Sequence, residues 1–316
     1  MKTSQLSTAQ IVIPTFNRAQ LLLKTLNSAL NQTLSFDRII ISDNSDSAGR
    51  QHETRRILAK HLANHQDHLV LQTTPKPLSA QDHAKFIQDM YCRSFDYTML
   101  LHDDDTLEPD FLAKLKPYLD SDRKLVAVAA NAWMVNSDKT RIGTLMRMRS
   151  GVLRVNSPNE LLRAYLDVSA SGPPPLDGYL YRSDALRKIS FDSSRGGKYS
   201  DVAALANLAE LGPILWHCRP LLTYLQHEGQ DSSDVSTRGF RNLVTYLEKT
   251  YPSAELEGLV ATYRLKHLRI MAQNLSSPPK ARTRQTSRWA IFIHILRRPT
   301  LWPAIYLLMF RRWLKW

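Results

Sequence analysis

Three consecutive carboxylates, Asp103, Asp104 and Asp105, follow the apolar run Tyr97-Thr98-Met99-Leu100-Leu101 and a single His102. Adjacent negative charges repel one another, so holding them together favours a bound cation. Carboxylate oxygens suit Mg²⁺ or Mn²⁺, and such ions commonly grip substrate phosphates as well. The preceding run has the composition of a strand buried on both faces of a parallel sheet. That places the carboxylates at its carboxyl end, where open α/β sheets put their ligands. The same residues also suit a solvated acidic turn, because Glu108-Pro109-Asp110 reads as a helix start. An EF-hand loop is excluded, since its sixth position would be Glu108 rather than glycine and Pro109 follows.

Two earlier strand ends carry polar groups of their own. Gln10-Ile11-Val12-Ile13-Pro14 reads as the first strand, followed by Thr15, Asn17 and Arg18. Asn17, with Gln20 three residues on, forms a variant capping box for a helix bearing Leu22, Leu26, Ala29 and Leu30 at helical spacing. Asp37 to Asp43 is the second strand and ends in a polar turn, Asn44-Ser45-Asp46. A strand-end Asp can accept hydrogen bonds from a base N–H or ribose hydroxyls, although alone it would read as an Asx-turn. A charged helix near Arg50–Leu62, a weaker strand Leu69–Leu71 and a helix Ser79–Tyr91 capped by Ser79 lead to the acidic strand. The order β-α-β-α-β-α-β predicts right-handed crossovers and a mainly parallel sheet flanked by helices, with the three polar strand ends on one rim.

Ile11 to Arg18, Ile40 to Ser45 and Leu101 to Pro109 resemble, in order and spacing, the nucleotide-sugar-binding half of family 2 glycosyltransferases. The resemblance covers roughly residues 9–230 and implies a Rossmann-like GT-A fold. It implies that Pro14, Thr15, Asn17, Arg18, Asp43, Asn44, Asp103 and Asp104 bind a nucleotide-diphosphate sugar, a UDP-sugar first among candidates. It also implies Mn²⁺ or Mg²⁺ on Asp103, Asp105 and His227. His102 departs from the pattern, standing where many members have the first Asp of the acidic motif. Gly172-Pro173-Pro174-Pro175 leads into Asp177, Gly178 and Tyr179, which the resemblance places on the acceptor side; a plain connector is the other reading. Asp201 stands where the family has the Asp of a Glu-Asp motif, its catalytic base, with Ser200 in place of the Glu. Inverting glycosyl transfer needs such a carboxylate to take the acceptor hydroxyl's proton as it attacks the anomeric carbon. Without the resemblance, Asp201 reads as a charge at a helix N-terminus.

From Leu125 to Val155 the pattern is strand-like, in segments 125–130, 143–148 and 151–155. The interleaved Arg141, Arg147, Arg149 and Arg154 read as a solvated strand face or as groups near a phosphate. Pro213–Cys218 and Leu221–Leu225 read as two further strands. No GxGxxG or P-loop pattern occurs, and the two cysteines make neither a disulfide framework nor a CxxC zinc site. The polar start, Met1 to Gln10, argues against a cleaved signal peptide.

The net charge of +13 is unevenly placed: from Gly258 to Trp316 there are 12 Lys/Arg and no Asp/Glu, leaving 30 basic against 29 acidic residues before it. The expected organisation is a glycosyltransferase domain over 1–235 and a helical extension with a basic amphipathic tail over 236–316. Trp289–Leu296 and Leu301–Phe310 fall short of the ~20 residues that span a bilayer. With Trp and flanking Arg they suit the interface of an anionic membrane, or else a helical pair packed on the domain. The expected function is inverting transfer to a saccharide or lipid-linked acceptor in cell-surface polysaccharide synthesis (lipopolysaccharide, capsule or exopolysaccharide). The expected place is the inner face of the cytoplasmic membrane, peripherally bound, with no nucleic-acid partner. A nucleotidyltransferase would normally show a Gly-rich loop after the first strand, and Pro14-Thr15-Phe16-Asn17 is not one. A non-catalytic binding protein is the remaining alternative.

Overall fold

The computed structural model describes residues 7–167, 169–226 and 237–264. Strands β1 (Ala9–Thr15), β2 (Arg38–Asp43), β3 (Leu69–Thr73) and β4 (Tyr97–Leu100) pair in parallel in the order β3-β2-β1-β4. Helices α1 (Ala19–Leu30), α2 (Ala48–Asn64) and α3 (Ala80–Tyr91) make the crossovers, as the alternating pattern predicts. Ile11, Val12 and Ile13 are all 0% exposed, so β1 is buried on both faces. Each such side chain contributes about 1.5–3 kcal/mol relative to exposure. Ile11 and Ile13 face Leu22 and Leu26 of α1, while Val12 faces Ile40 and Ile87 beneath α3, the alternation of a strand.

The second half of the sheet is mixed. After β5 (Thr106–Leu107) and α4 (Phe111–Ser121) come β6 (Ala127–Val135), β7 (Arg141–Thr144), β8 (Val152–Val155) and α5 (Pro158–Leu166). These are followed by β9 (Tyr179–Arg182), α6 (Ser183–Leu186), α7 (Ser200–Leu211), β10 (Ile214–Leu225) and α8 (Thr237–Thr250). β9 lies antiparallel between β4 and β6, and β10 runs parallel to β6, giving the order β3-β2-β1-β4-β9-β6-β10-β5. The two strands expected on either side of Pro220 are one strand, β10. Its register shifts around Pro220, a bulge that accommodates the missing N–H. The expected strand over 143–148 is mostly not a strand. Asn131 pins it as a strap instead: Nδ2 donates to the carbonyls of Met146 (3.1 Å), Met148 (3.0 Å) and Cys218 (3.0 Å).

Asn17 does not cap α1. Arg18 takes the N-cap position, and Asn17 adopts φ +58° with its Nδ2 donating to Asp46 Oδ2 at 2.8 Å. A short polar side chain that bonds locally tolerates this left-handed conformation. Ser79 does cap α3, accepting from the Asp82 amide at 3.1 Å.

On the face carrying α5 and α7, the core holds Trp216, Tyr179, Tyr181, Leu161 and Leu205. Phe240, Leu243, Val244 and Leu247 of α8, with Leu256 and Val260, join the same core. Among the described residues no helix is long and apolar enough to cross a membrane. His227 and the expected tail segments Trp289–Leu296 and Leu301–Phe310 lie outside the described residues.

Candidate active site

Asp43 ends β2 directly beside Thr15 at the end of β1. It is fully buried; Oδ1 accepts the Ser45 amide at 2.9 Å, and Oδ2 has no hydrogen-bond partner. The turn and the ligand-binding readings of Asp43 are therefore compatible, one oxygen serving each. Asn44 is engaged within the fold. Its Nδ2 donates to Leu78 O (2.9 Å), and its Oδ1 accepts from Thr74 Oγ1 (3.0 Å) and the Leu78 amide (2.8 Å). Behind Asp43, Ser42 Oγ meets His83 Nε2 at 2.8 Å. Burial pushes His83 down to about 4, against the opposing pull of Asp43.

The acidic triplet divides its work. Asp103 turns toward the first motif: Thr15 Oγ1 donates to its Oδ2 at 2.6 Å, and Arg18 Nη1 lies 3.4 Å from its Oδ1. Burial raises the Asp103 carboxyl while the Thr15 hydrogen bond works against the rise. The same Arg18 nitrogen is 3.0 Å from Asp104 Oδ2. Asp105 is 1% exposed and fixed at both ends. Its carbonyl accepts from Thr25 Oγ1 at 2.7 Å, and its Oδ1 accepts the Leu225 amide at 2.8 Å. Asp105 Oδ2 has no hydrogen bond and lies 3.7 Å from His102 Nδ1.

Ligand atoms of His102, Asp104 and Asp105 all lie within 4.8 Å of one another. Among the described residues this set shares Asp105 with the ligands implied by the resemblance, Asp103, Asp105 and His227, of which His227 lies outside the described residues. His102 is absent from the implied ligands, and the only signal for it was its position as the first residue of the acidic motif. An imidazole nitrogen beside carboxylate oxygens, one of them buried and unpartnered, fits a divalent cation and suits Mn²⁺ better than Mg²⁺. Burial depresses the His102 ring, but its interaction with Asp105 and the charges of Asp177, Asp105 and Asp104 outweigh this and raise it. The ring keeps 45% of its surface in contact with solvent, so screening mutes that rise.

Asp177 sits in a single 3₁₀ turn, Leu176–Gly178, fully buried and with neither carboxylate oxygen hydrogen-bonded. Burial first, then the charge of Asp105, holds it well above the usual carboxylate range. Gly178 is required by contact: a Cβ there would lie 2.7 Å from the Ala130 carbonyl oxygen. Tyr179 is fully buried, its ring stacked on Tyr181 at 5.5 Å and 18°. Pro14, next to the end of β1, pairs in register with Ser42.

Asp201 occupies the first turn of α7. Burial raises it to about 6, opposed by backbone amides of Val202 and Asp201 and by the charge of His102. The coupling to His102 places Asp201 within electrostatic reach of the acidic cluster. A carboxylate poised near 6 is a serviceable general base at neutral pH.

Residues 10–170, just over half of the chain, match the Glycosyl transferase family 2 model. The chain is 31% identical to a chondroitin synthase of Escherichia coli over 136 residues, which is 43% of this chain and 18% of that protein. Its fold is similar to that of S. aureus TarS residues 1–349 in complex with UDP-GlcNAc, with a TM-score of 0.60, 13% identity, and 84% of this chain and 74% of that one covered. It is also similar to the mannosyltransferase PcManGT of Pyrobaculum calidifontis in complex with GDP-Man and Mn²⁺, with a TM-score of 0.51, 14% identity, and 85% and 76% of the two chains covered. The α/β architecture is that of GT-A enzymes, and the chain belongs to glycosyltransferase family 2.

Proposed function

We propose that the protein moves a sugar, with inversion, from a nucleotide-diphosphate donor to a hydroxyl of a saccharide or lipid-linked acceptor in the assembly of a cell-surface polysaccharide. The observation that carries this reading is a half-buried Asp201 in the first turn of α7, raised to about 6, that feels the charge of His102 beside Asp104 and Asp105. This pairs a base with a site for a departing diphosphate.

The nucleoside lies against the ends of β1 and β2, where the unpartnered Asp43 Oδ2 accepts a base N–H or a ribose hydroxyl. A UDP-sugar is the first candidate donor; the structural neighbours are complexed with UDP-GlcNAc and GDP-Man. Arg18 is positioned beside the diphosphate, held by Asp103 and Asp104. His102, Asp104 and Asp105 would hold Mn²⁺ or Mg²⁺, which when bound offsets charge growing on the leaving diphosphate. Asp201 takes the acceptor hydroxyl's proton; the hydroxyl oxygen bonds to the anomeric carbon from the side opposite the departing diphosphate. The new glycosidic bond then has the opposite anomeric configuration. Asp177 and Gly178 close the acceptor side, with Tyr179 behind them. The similarity to a chondroitin synthase supports a polysaccharide product. The cation-rich, Trp-bearing segment beyond Gly258 would hold the enzyme at the inner face of an anionic cytoplasmic membrane.

Replacing Asp201 by Asn tests the assignment. Nucleoside diphosphate release in the presence of acceptor should fall by about 10²–10⁴-fold while nucleotide affinity stays within about twofold. Full transfer by D201N, or a product with the donor's anomeric configuration by NMR, would contradict it.

A further inference from the structure

The acidic rim lies at one end of the sheet, and a cavity lined by cations lies at the other. β10 runs parallel to β6, while β9 runs antiparallel to both β4 and β6. Lys124, Val126 and Pro213 precede β6 and β10, and Arg182 ends β9. These four therefore gather at the end remote from Thr15, Asp43 and Asp103. With Arg123 and Lys188 they line a cavity of about 410 Å³. That volume falls within the roughly 300–1,000 Å³ of small-molecule sites. Its walls are tied together. The Val126 amide donates to Pro213 O at 3.0 Å, and Gly212 comes so close that a Cβ would stand 2.7 Å from Lys124 O.

Four lining side chains are cations, and Asp184 is the only acid among the lining residues. Arg182 is held in place by neutral groups. Its Nε donates to Leu125 O at 2.6 Å, and its Nη2 donates to Leu119 O at 2.7 Å and Asp122 O at 3.0 Å. The guanidinium also lies over the Tyr97 ring at 5.5 Å. These contacts fix where the charge sits without neutralising it, and among the described residues Nη1 makes no hydrogen bond. The nearby carboxylates are committed elsewhere. Asp120 pairs with Lys116 at 2.8 Å; Asp122 pairs with Arg154 at 2.9 Å and accepts the Lys124 amide at 2.9 Å. Among the described residues, Arg123, Lys124, Arg182 and Lys188 form no ion pair with Asp184 or any other carboxylate. Arg123, Lys124 and Lys188 are exposed and can turn toward a ligand. The rest of the lining is apolar and includes Leu211, 42% exposed.

We propose that this cavity binds a phosphate-bearing ligand, apart from the transfer site, with Arg182 as the fixed donor and Arg123, Lys124 and Lys188 closing on the anion. A phosphate group carries close to two charges and three acceptor oxygens, so it can engage a guanidinium and several further cations at once. A lone carboxylate would offset only one of the four. The apolar part of the lining suits the organic portion of a phosphorylated small molecule or of an anionic lipid headgroup. A ligand here is at the wrong end of the sheet to react at Asp201, so it acts by binding alone. The proposal goes beyond the transfer reading and does not depend on it.

The test is binding to the full chain with EDTA present, so that no divalent cation holds a phosphate on the acidic rim. The soluble probes are inorganic pyrophosphate and glucose 6-phosphate, with glucose as the neutral control. The lipid probes are phosphatidylcholine vesicles with and without phosphatidic acid. Because the segment beyond Gly258 also carries cations, the readout is the difference between the unaltered protein and the Arg123→Gln/Lys188→Gln double variant. Calorimetry should show soluble phosphates binding in a way that added salt weakens. The double variant should weaken it about tenfold with an unaltered melting temperature, and Asp105→Asn should leave it unchanged. A loss in the double variant confined to phosphatidic acid vesicles upholds the same chemistry and makes a lipid headgroup its source. If neither class of probe loses affinity in the double variant, or if glucose binds as tightly as its 6-phosphate, the proposal is overturned.

Discussion

In the proposed transfer, Asp201 has two roles that pull against each other. A base needs a raised pKa to hold a proton, yet above that pKa a buried charge destabilises the fold. The folded value of about 6 lies above the ordinary carboxylate value of 3.8. Its contribution to stability is therefore complete below pH 3.8 and is lost as pH rises through 6. Asp201→Asn should be more stable than the unaltered protein above pH 6, by about 1–3 kcal/mol, and indistinguishable near pH 4. Urea titrations at the two pH values measure this, and the transfer rate of the unaltered protein should climb through pH 6 on its acid limb. His83 has the opposite sign. Its folded value of about 4 lies below the ordinary 6.5, so the stability it supports is present above pH 6.5 and fades as pH falls toward 4. Comparing the unaltered protein with His83→Gln should reveal a difference on the order of 2–3 kcal/mol in that window, and equal pH slopes would count against a buried neutral imidazole.

At the scale of elements, the site depends on β9 and its preceding turn entering the sheet between β4 and β6. Gly178→Ala puts a methyl group 2.7 Å from the Ala130 carbonyl oxygen, a backbone atom that cannot move aside cheaply. It should cost about 1–3 kcal/mol and, by displacing Asp177, slow transfer more than it weakens nucleotide binding. A melting temperature equal to that of the unaltered chain would show that the turn has slack. The first four strands were readable because each joins a local βα repeat, with apolar runs such as Ile11–Ile13 ending on polar residues. The second half was less so. The antiparallel insertion of β9 is a pairing over long sequence separation that leaves no local period. Pro220 read as a break because a bulge is a property of two strands rather than one. Asn17 read as a cap on composition alone, whereas its side chain is taken by Asp46 across a loop. In the site, the acids were legible from their spacing. The turning of Asp103 toward Thr15 and Arg18, which leaves His102 to complete the cluster, is a tertiary fact.

For the molecule as a whole, charge separates by location. The acids gather on the rim formed by β2, β4 and the first turn of α7, while in the sequence 12 Lys/Arg and no Asp/Glu fall between Gly258 and Trp316. In the proposed function this rim binds a nucleoside diphosphate together with a divalent cation. The most direct test is the melting temperature of the full chain with UDP and with GDP, each with and without Mn²⁺, for the unaltered protein, Asp105→Asn and Asp201→Asn. The melting temperature should rise by several degrees only with both nucleotide and Mn²⁺, a rise lost in D105N and kept in D201N. A nucleotide response in D105N equal to that of the unaltered protein, or none in any combination, would contradict it.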